Sequence, residues 1–295
     1  MNEQKYGICL GPWGDIICAM GHFYQLMPNK ECIYYGYLSP ESIVLDFLNS
    51  QEYITKAHYV SPDSHENYRT NNTMMWSPNP NTRREGIQKA LVHSMFDPEL
   101  VTDTNLNYGF SGYDAPEIPL APRINVPEYC KVWAEDVASY LPRPFYLVQP
   151  FSINTNQVIH HWPHWSEYLR WMLHDQTKHY VTCGVHWDDS VVSKLSNATR
   201  LVGKTPTVMH LWALASLADG VITTSNSLAH YCAANSIRTI VLATERNSEP
   251  TEYFHHVIKG SNILFFNKFS SYFRVCYETK EFLNIWPDVK IGTSN

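Results

Sequence analysis

The chain has 295 residues, 44% of them hydrophobic and 17% charged, with a formal net charge of -6. That length holds two ordinary α/β domains or one large one, and the hydrophobic share excludes a disordered chain. A general nucleic-acid binder is basic, so no broad electrostatic grip on DNA or RNA is expected; a local basic groove is still compatible with the composition.

The first five residues are polar, without the n-region and h-region of a signal peptide, and no apolar run approaches the roughly 20 residues of a membrane span. A cytoplasmic protein is expected. Residues 6–10 read as a short buried strand, Gly11-Pro12-Trp13-Gly14-Asp15 as a tight loop, and Ile16, Ala19, Met20 and Phe23 recur at helical spacing. Strand, glycine-containing loop and helix open a Rossmann-like unit. A second strand is expected over 32–35, a helix from Pro40 to about residue 48 with Ser39 as its cap, and a third strand over 57–60. Residues 61–81, with Asn71, Asn72, Pro78 and Pro80, read as a long loop, 82–96 as a helix, 114–127 as a proline-rich aperiodic stretch, and 128–140 as a helix.

Leu141-Pro142-Arg143-Pro144 stops that helix and sets the expected domain boundary, with units over 1–141 and 142–295. Beyond it, strands are expected over 145–149, 179–183, 199–202, 220–223, 238–243 and 262–266. Helices are expected over 165–173, 207–218 and 228–235, and the tail from Ser270 as helical turns packing back on the body. Strands alternating with helices imply parallel pairing, so the expected fold class is α/β, two Rossmann-like doubly wound domains facing a central cleft. The seven cysteines contain no CxxC pair and sit mostly in apolar runs, as buried free thiols do.

Four constellations carry chemistry. In the first loop, Trp13 and Gly14 lead to Asp15, which is either a helix cap or a carboxylate acting as general base on an acceptor hydroxyl. Thr223-Thr224-Ser225-Asn226-Ser227-Leu228-Ala229-His230 places a run of hydroxyl and amide side chains at a strand-to-helix turn. One cap needs only one such residue, so an anion site is expected at Thr224, Ser225, Asn226, Ser227 and Leu228, with His230 one turn inside. His160-His161-Trp162-Pro163-His164-Trp165 is a helix entry with packed tryptophans, a metal cluster, or a source of phosphate donors at His160 or His161. Val202-Gly203-Lys204-Thr205-Pro206 lacks P-loop spacing, and is either a simple turn or a nucleotide-facing one through Lys204 and Thr205. No GxSxG elbow is present, which disfavours a hydrolase of that type.

In order, these pieces resemble the ADP-heptose:lipopolysaccharide heptosyltransferase family, glycosyltransferases of the GT-B fold. Leu10 to Asp15 matches the family's opening strand and Gly-Asp loop. Residues 146–150 with His160-His161-Trp162-Pro163 match its strand, loop and Lys-x-Trp-Pro helix entry. Residues 213–234 match its helix, strand and Asp-Ser/Thr-Gly-x-x-His loop before an alanine-rich helix. The chain carries His160 where the family has lysine, Ser225 where it has aspartate and Ser227 where it has glycine.

The resemblance implies metal-independent transfer of a sugar from a nucleotide-diphosphate-sugar to an acceptor hydroxyl, of a glycan or of a hydroxymethylated base in phage DNA. It makes the first domain the acceptor-binding one with Asp15 as base. The second would bind the donor through Gln149, Ser152, His160, His161, Lys204, Thr205 and the 224–230 loop. No metal site and no cofactor are expected, the nucleotide-sugar being a substrate. The DNA variant needs a basic groove, for which Arg69, Arg83, Arg84 and Lys89 beside Trp76 are candidates. The alternative is a non-catalytic nucleotide or nucleotide-sugar binding protein on the same fold.

Overall fold

A computed structural model describes residues 5–26, 28–36, 40–75, 77, 79–103, 124–150, 162–172, 174–184, 197–224, 226–242, 262–266 and 270–285. The chain divides into two compact units, Met1–Pro127 and Glu128–Asn295.

The first unit runs β1 (Tyr6–Leu10), α1 (Trp13–Leu26), β2 (Lys30–Tyr35), α2 (Glu41–Asn49), β3 (Ile54–Val60), α3 (His65–Met75), α4 (Pro80–Leu91), a 3-10 turn (Pro98–Leu100) and β4 (Val101–Asp103). Its sheet has the order β3-β2-β1-β4, all pairs parallel. Strand side chains alternate between faces, so Ile8, Leu10, Ile33 and Tyr35 share one face and pack against Tyr68, Met75, Ile87 and Leu91 of α3 and α4.

The long loop expected over 61–81 is instead mostly helix. Ser64 caps α3, its hydroxyl accepting from the Asn67 N–H at 3.1 Å, and Tyr68, Asn71 and Met75 form the buried stripe. The asparagines and nearby prolines lowered the local propensity; burial of that stripe outweighs it. α4 likewise begins earlier than its apolar periodicity suggests, because Asn79 caps it and Pro80 takes the first turn. At α2 the cap position is held by Pro40, without a side-chain cap bond; the expected cap Ser39 lies outside the described residues.

The second unit begins with α5 (Glu128–Ser139) and continues β5 (Phe145–Gln149), α6 (Trp165–Met172), β6 (His179–Thr182), β7 (Ala198–Arg200), α7 (Val208–Ala215), β8 (Gly220–Thr223), α8 (Ser227–Ala234), β9 (Thr239–Leu242), β10 (Ile263–Phe266) and α9 (Tyr272–Leu283). The division falls one helix before the proline junction, because α5 packs on α7: Tyr129 and Trp133 rings lie 5.6 and 5.2 Å from the His210 ring, and Cys130 Sγ lies 3.7 Å from His210 Nδ1. The six strands pair in the order β10-β9-β8-β5-β6-β7, all parallel.

One face of this sheet, through Tyr146, Val148, Tyr180 and Ile222, meets α6 and α9 in a core that includes Trp162, Trp165 and Tyr168. α8 covers the other face with Ala229 and Ala233 against Val241. All seven cysteines are buried and none forms a disulfide; burial pushes the Cys232 and Cys276 thiols up to about 12. Among the described residues, no helix is long and apolar enough to cross a membrane.

Candidate functional site

The strand order of the second sheet sets where its switch point lies. The chain moves outward from β5 to β6 and β7, then returns to lay β8 on the other side of β5. β5 and β8 are therefore the neighbouring strands at which the direction of strand addition reverses, and the C-terminal ends of such a pair are the general ligand position in open parallel sheets. Gln149 ends β5 and Thr223 ends β8, directly opposite each other in the register.

Asn226 closes this edge. Its Nδ2 donates to Gln149 Oε1 at 3.2 Å and to Thr223 Oγ1 at 3.0 Å, while its Oδ1 accepts from the Ala229 N–H at 3.2 Å and so caps α8. The two strand ends and the helix start are thereby tied through one side chain. Ser227 is the first residue of α8, so the early N–H groups and the positive end of the helix dipole are presented at the crevice.

Thr224, between strand and helix, is fully buried and its hydroxyl has no hydrogen-bond partner among the described residues. Thr182 at the end of β6 is in the same condition. An unsatisfied buried hydroxyl carries a desolvation cost of about 1–3 kcal/mol, and here two of them flank the end of β5.

The other expected donor residues distribute as follows. Leu228 is 1% exposed, so its side chain is core and only its backbone is available at the helix start. His230 sits in the first turns of α8, where burial lowers its pKa to about 4, so near neutral pH its ring can donate a hydrogen bond but carries no charge. Lys204 and Thr205 follow β7, two strands from β5 and about 10 Å along the pairing direction, with Lys204 exposed and Gly203 at φ +67. Ser152, His160, His161 and Ser225 lie outside the described residues. Of the tryptophans next to that histidine pair, Trp162 is 1% exposed and its Nε1–H donates to the Ser270 carbonyl at 2.9 Å. Trp162 and Trp165 are packed in the core, while the readings that rest on His160 and His161 fall outside the described residues. Among the described residues, no three His, Cys, Asp or Glu side chains come together as a metal site.

In the first unit, Asp15 is the third residue of α1 and not its cap; its N–H donates to the Pro12 carbonyl at 2.9 Å. Gly11 adopts φ +92, and a Cβ there would fall onto the Asp15 carboxylate, 2.9 Å from the Asp15 Cβ. The carboxylate thus folds back over the glycine at the C-terminal end of β1. Trp13 is fixed against Phe47 of α2, rings 5.5 Å apart and edge-on. Sequence reasoning missed Tyr34, whose hydroxyl donates to the Gly11 carbonyl at 3.2 Å and whose pKa is raised by burial and then by neighbours including Asp15. Its strand looked like plain core, and only tertiary contact brings it to the turn.

Two Rossmann-like units, each an open parallel sheet with helices on its faces, are the constituents of the GT-B fold. Solved structures agree. A glycosyl transferase family 9 protein from Veillonella parvula matches with a TM-score of 0.60 at 13% identity, over 97% of this chain and 95% of that one. The E. coli ADP-heptose LPS heptosyltransferase II matches with a TM-score of 0.62 at 16% identity, over 95% and 98%. The E. coli heptosyltransferase WaaC with ADP matches with a TM-score of 0.51 at 12% identity, over 89% and 92%. The chain therefore resembles the heptosyltransferases in fold over nearly its whole length. No family model matches it, and no curated protein does.

Proposed function

We propose that the chain is a glycosyltransferase that moves a sugar from a nucleotide-diphosphate-sugar to an acceptor hydroxyl without a resident metal ion. The observation that carries this reading is the α8 N-terminus set at the β5–β8 switch point, tied to both strand ends by Asn226, within a fold shared end to end with glycosyltransferases.

The donor diphosphate lies against the 224–227 turn. As the bond from the anomeric carbon to the leaving phosphate oxygen breaks, negative charge grows on the diphosphate, where the helix N–H groups and neutral His230 stabilise it. His160, His161, Ser152 and Lys204 are assigned to the donor by the resemblance. The acceptor oxygen forms the new bond to the anomeric carbon and gives its proton to Asp15. A glycan acceptor is favoured over DNA by the state of the expected basic groove. Arg84 pairs with Glu99 and Lys89 with Glu85, and Arg83 donates to the Ser77 carbonyl at 2.9 Å.

The test is a calorimetric panel of nucleoside diphosphates and their sugars. A ligand present at about 100 times its dissociation constant stabilises the chain by about 2.7 kcal/mol. Asp15→Asn should lower turnover about 100-fold or more and leave donor affinity unchanged. Binding without any effect of Asp15→Asn would support the non-catalytic reading, which Ser225, Ser227 and His160 motivate; no binding of any nucleotide removes both.

A further inference from the structure

The ends of β2 and β3 in the first unit open into a pocket of about 640 Å³ walled by α3 and α4, within the range of roughly 300–1,000 Å³ usual for small-ligand sites. Tyr35 and Val60, the last residues of the two strands, form its floor. Tyr35 is locked in place, stacked on Tyr68 at 5.8 Å and accepting from Asn71 Nδ2 at 3.0 Å.

Each helix presents one polar stripe at i, i+3, i+4 spacing: Asn67, Thr70 and Asn71 from α3, and Glu85, Gln88 and Lys89 from α4. Amides and hydroxyls dominate these stripes, and each of those groups both donates and accepts, as vicinal sugar hydroxyls do. The charged side chains pair among themselves, with carboxylates in excess. Lys89 Nζ is 2.8 Å from Glu85 and His93 Nε2 is 3.6 Å from Asp63. The permanent charges of the lining are thus two carboxylates against one ammonium, which repels a phosphorylated, sulfated or nucleic-acid ligand. Leu10 pairs with Tyr35 in the sheet, so the pocket floor and the Asp15 turn start from adjacent strand ends, spaced about 4.8 Å apart.

We infer that this pocket binds a neutral glycan and is the acceptor subsite, an assignment that rests on the transferase reading above. Specificity for an uncharged sugar is set by Asn67, Thr70 and Gln88.

The full-length chain is applied to an array of neutral, sialylated and sulfated oligosaccharides. The best neutral ligand is then titrated into the wild type, Asn67→Ala and Gln88→Leu. Both positions are exposed, and thermal melts confirm that each variant keeps its fold. The expected result is binding of neutral glycans only, weakened about tenfold in each variant, insensitive to salt, with ADP and UDP affinities unchanged. Binding confined to acidic glycans, or neutral binding untouched by both variants, overturns the assignment. Nucleotide binding without neutral-glycan binding also overturns it while the transferase reading stands. Neutral-glycan binding at this pocket with no nucleotide binding keeps the pocket and removes the transferase.

Discussion

At the scale of single residues, Asn226 and Thr224 separate what the polar run is for. Asn226 satisfies a cap and two strand-end groups at once, whereas the buried Thr224 hydroxyl has no hydrogen-bond partner among the described residues. Replacing that hydroxyl by a methyl group relieves an unpaired polar atom, so Thr224→Val should raise the stability of the ligand-free chain by about 1 kcal/mol. If the turn serves the diphosphate, the same variant should bind nucleoside diphosphate about tenfold more weakly. A variant neither more stable nor weaker in binding would make Thr224 ordinary core.

His230 gives a second handle. Its pKa falls from 6.5 to about 4 on burial, so the fold favours the neutral ring. Between pH 6.5 and about 4 the unfolded chain binds the extra proton, and the stability tied to this group is full above pH 6.5 and lost as pH drops through that window. His179 and His210 are lowered by burial in the same sense. Urea unfolding of His230→Gln should therefore show a shallower, not absent, loss of stability across that range; an unchanged slope would place the ring in water.

At the scale of elements, two glycines with positive φ predict losses of different size. Gly11 combines φ +92 with a Cβ position on top of Asp15, so Gly11→Ala adds strain of about 1–3 kcal/mol and displaces the carboxylate. Gly203 at φ +67 has open space around it, and Gly203→Ala should cost only the backbone term, about 1–2 kcal/mol. Unfolding measurements should rank them in that order, with turnover reduced in the first alone.

The same scale shows where sequence reading failed. α3 was hidden because Asn71, Asn72 and the flanking prolines resemble a loop. The signal that could have found it is Ser64 as cap, followed by Tyr68, Asn71 and Met75 on one face. With the helix hidden, the pocket it walls was hidden too.

At the scale of the whole molecule, two parallel sheets each place their candidate residues at a C-terminal strand edge, Asp15 after β1 and the 224–230 turn after β8. On the proposed metal-free transfer, in which the helix terminus takes the place of a divalent cation, exhaustive EDTA treatment should leave transfer activity within about twofold of the untreated protein. A large loss restored by magnesium would refute the metal-free arm of the proposal.

Local pattern was enough for the strand–helix alternation, the parallel α/β class, the Gly11 turn and the polar run before α8. Each of these rests on near-neighbour chemistry: apolar periodicity, a glycine at a sharp turn, side-chain oxygens at a helix start. Strand order, the switch point between β5 and β8, the Asn226 bridge to Gln149, the allegiance of α5 to the second unit and the pocket over β2 and β3 were decided by tertiary structure alone. They join residues far apart in the chain, through burial and pairing that no local window contains.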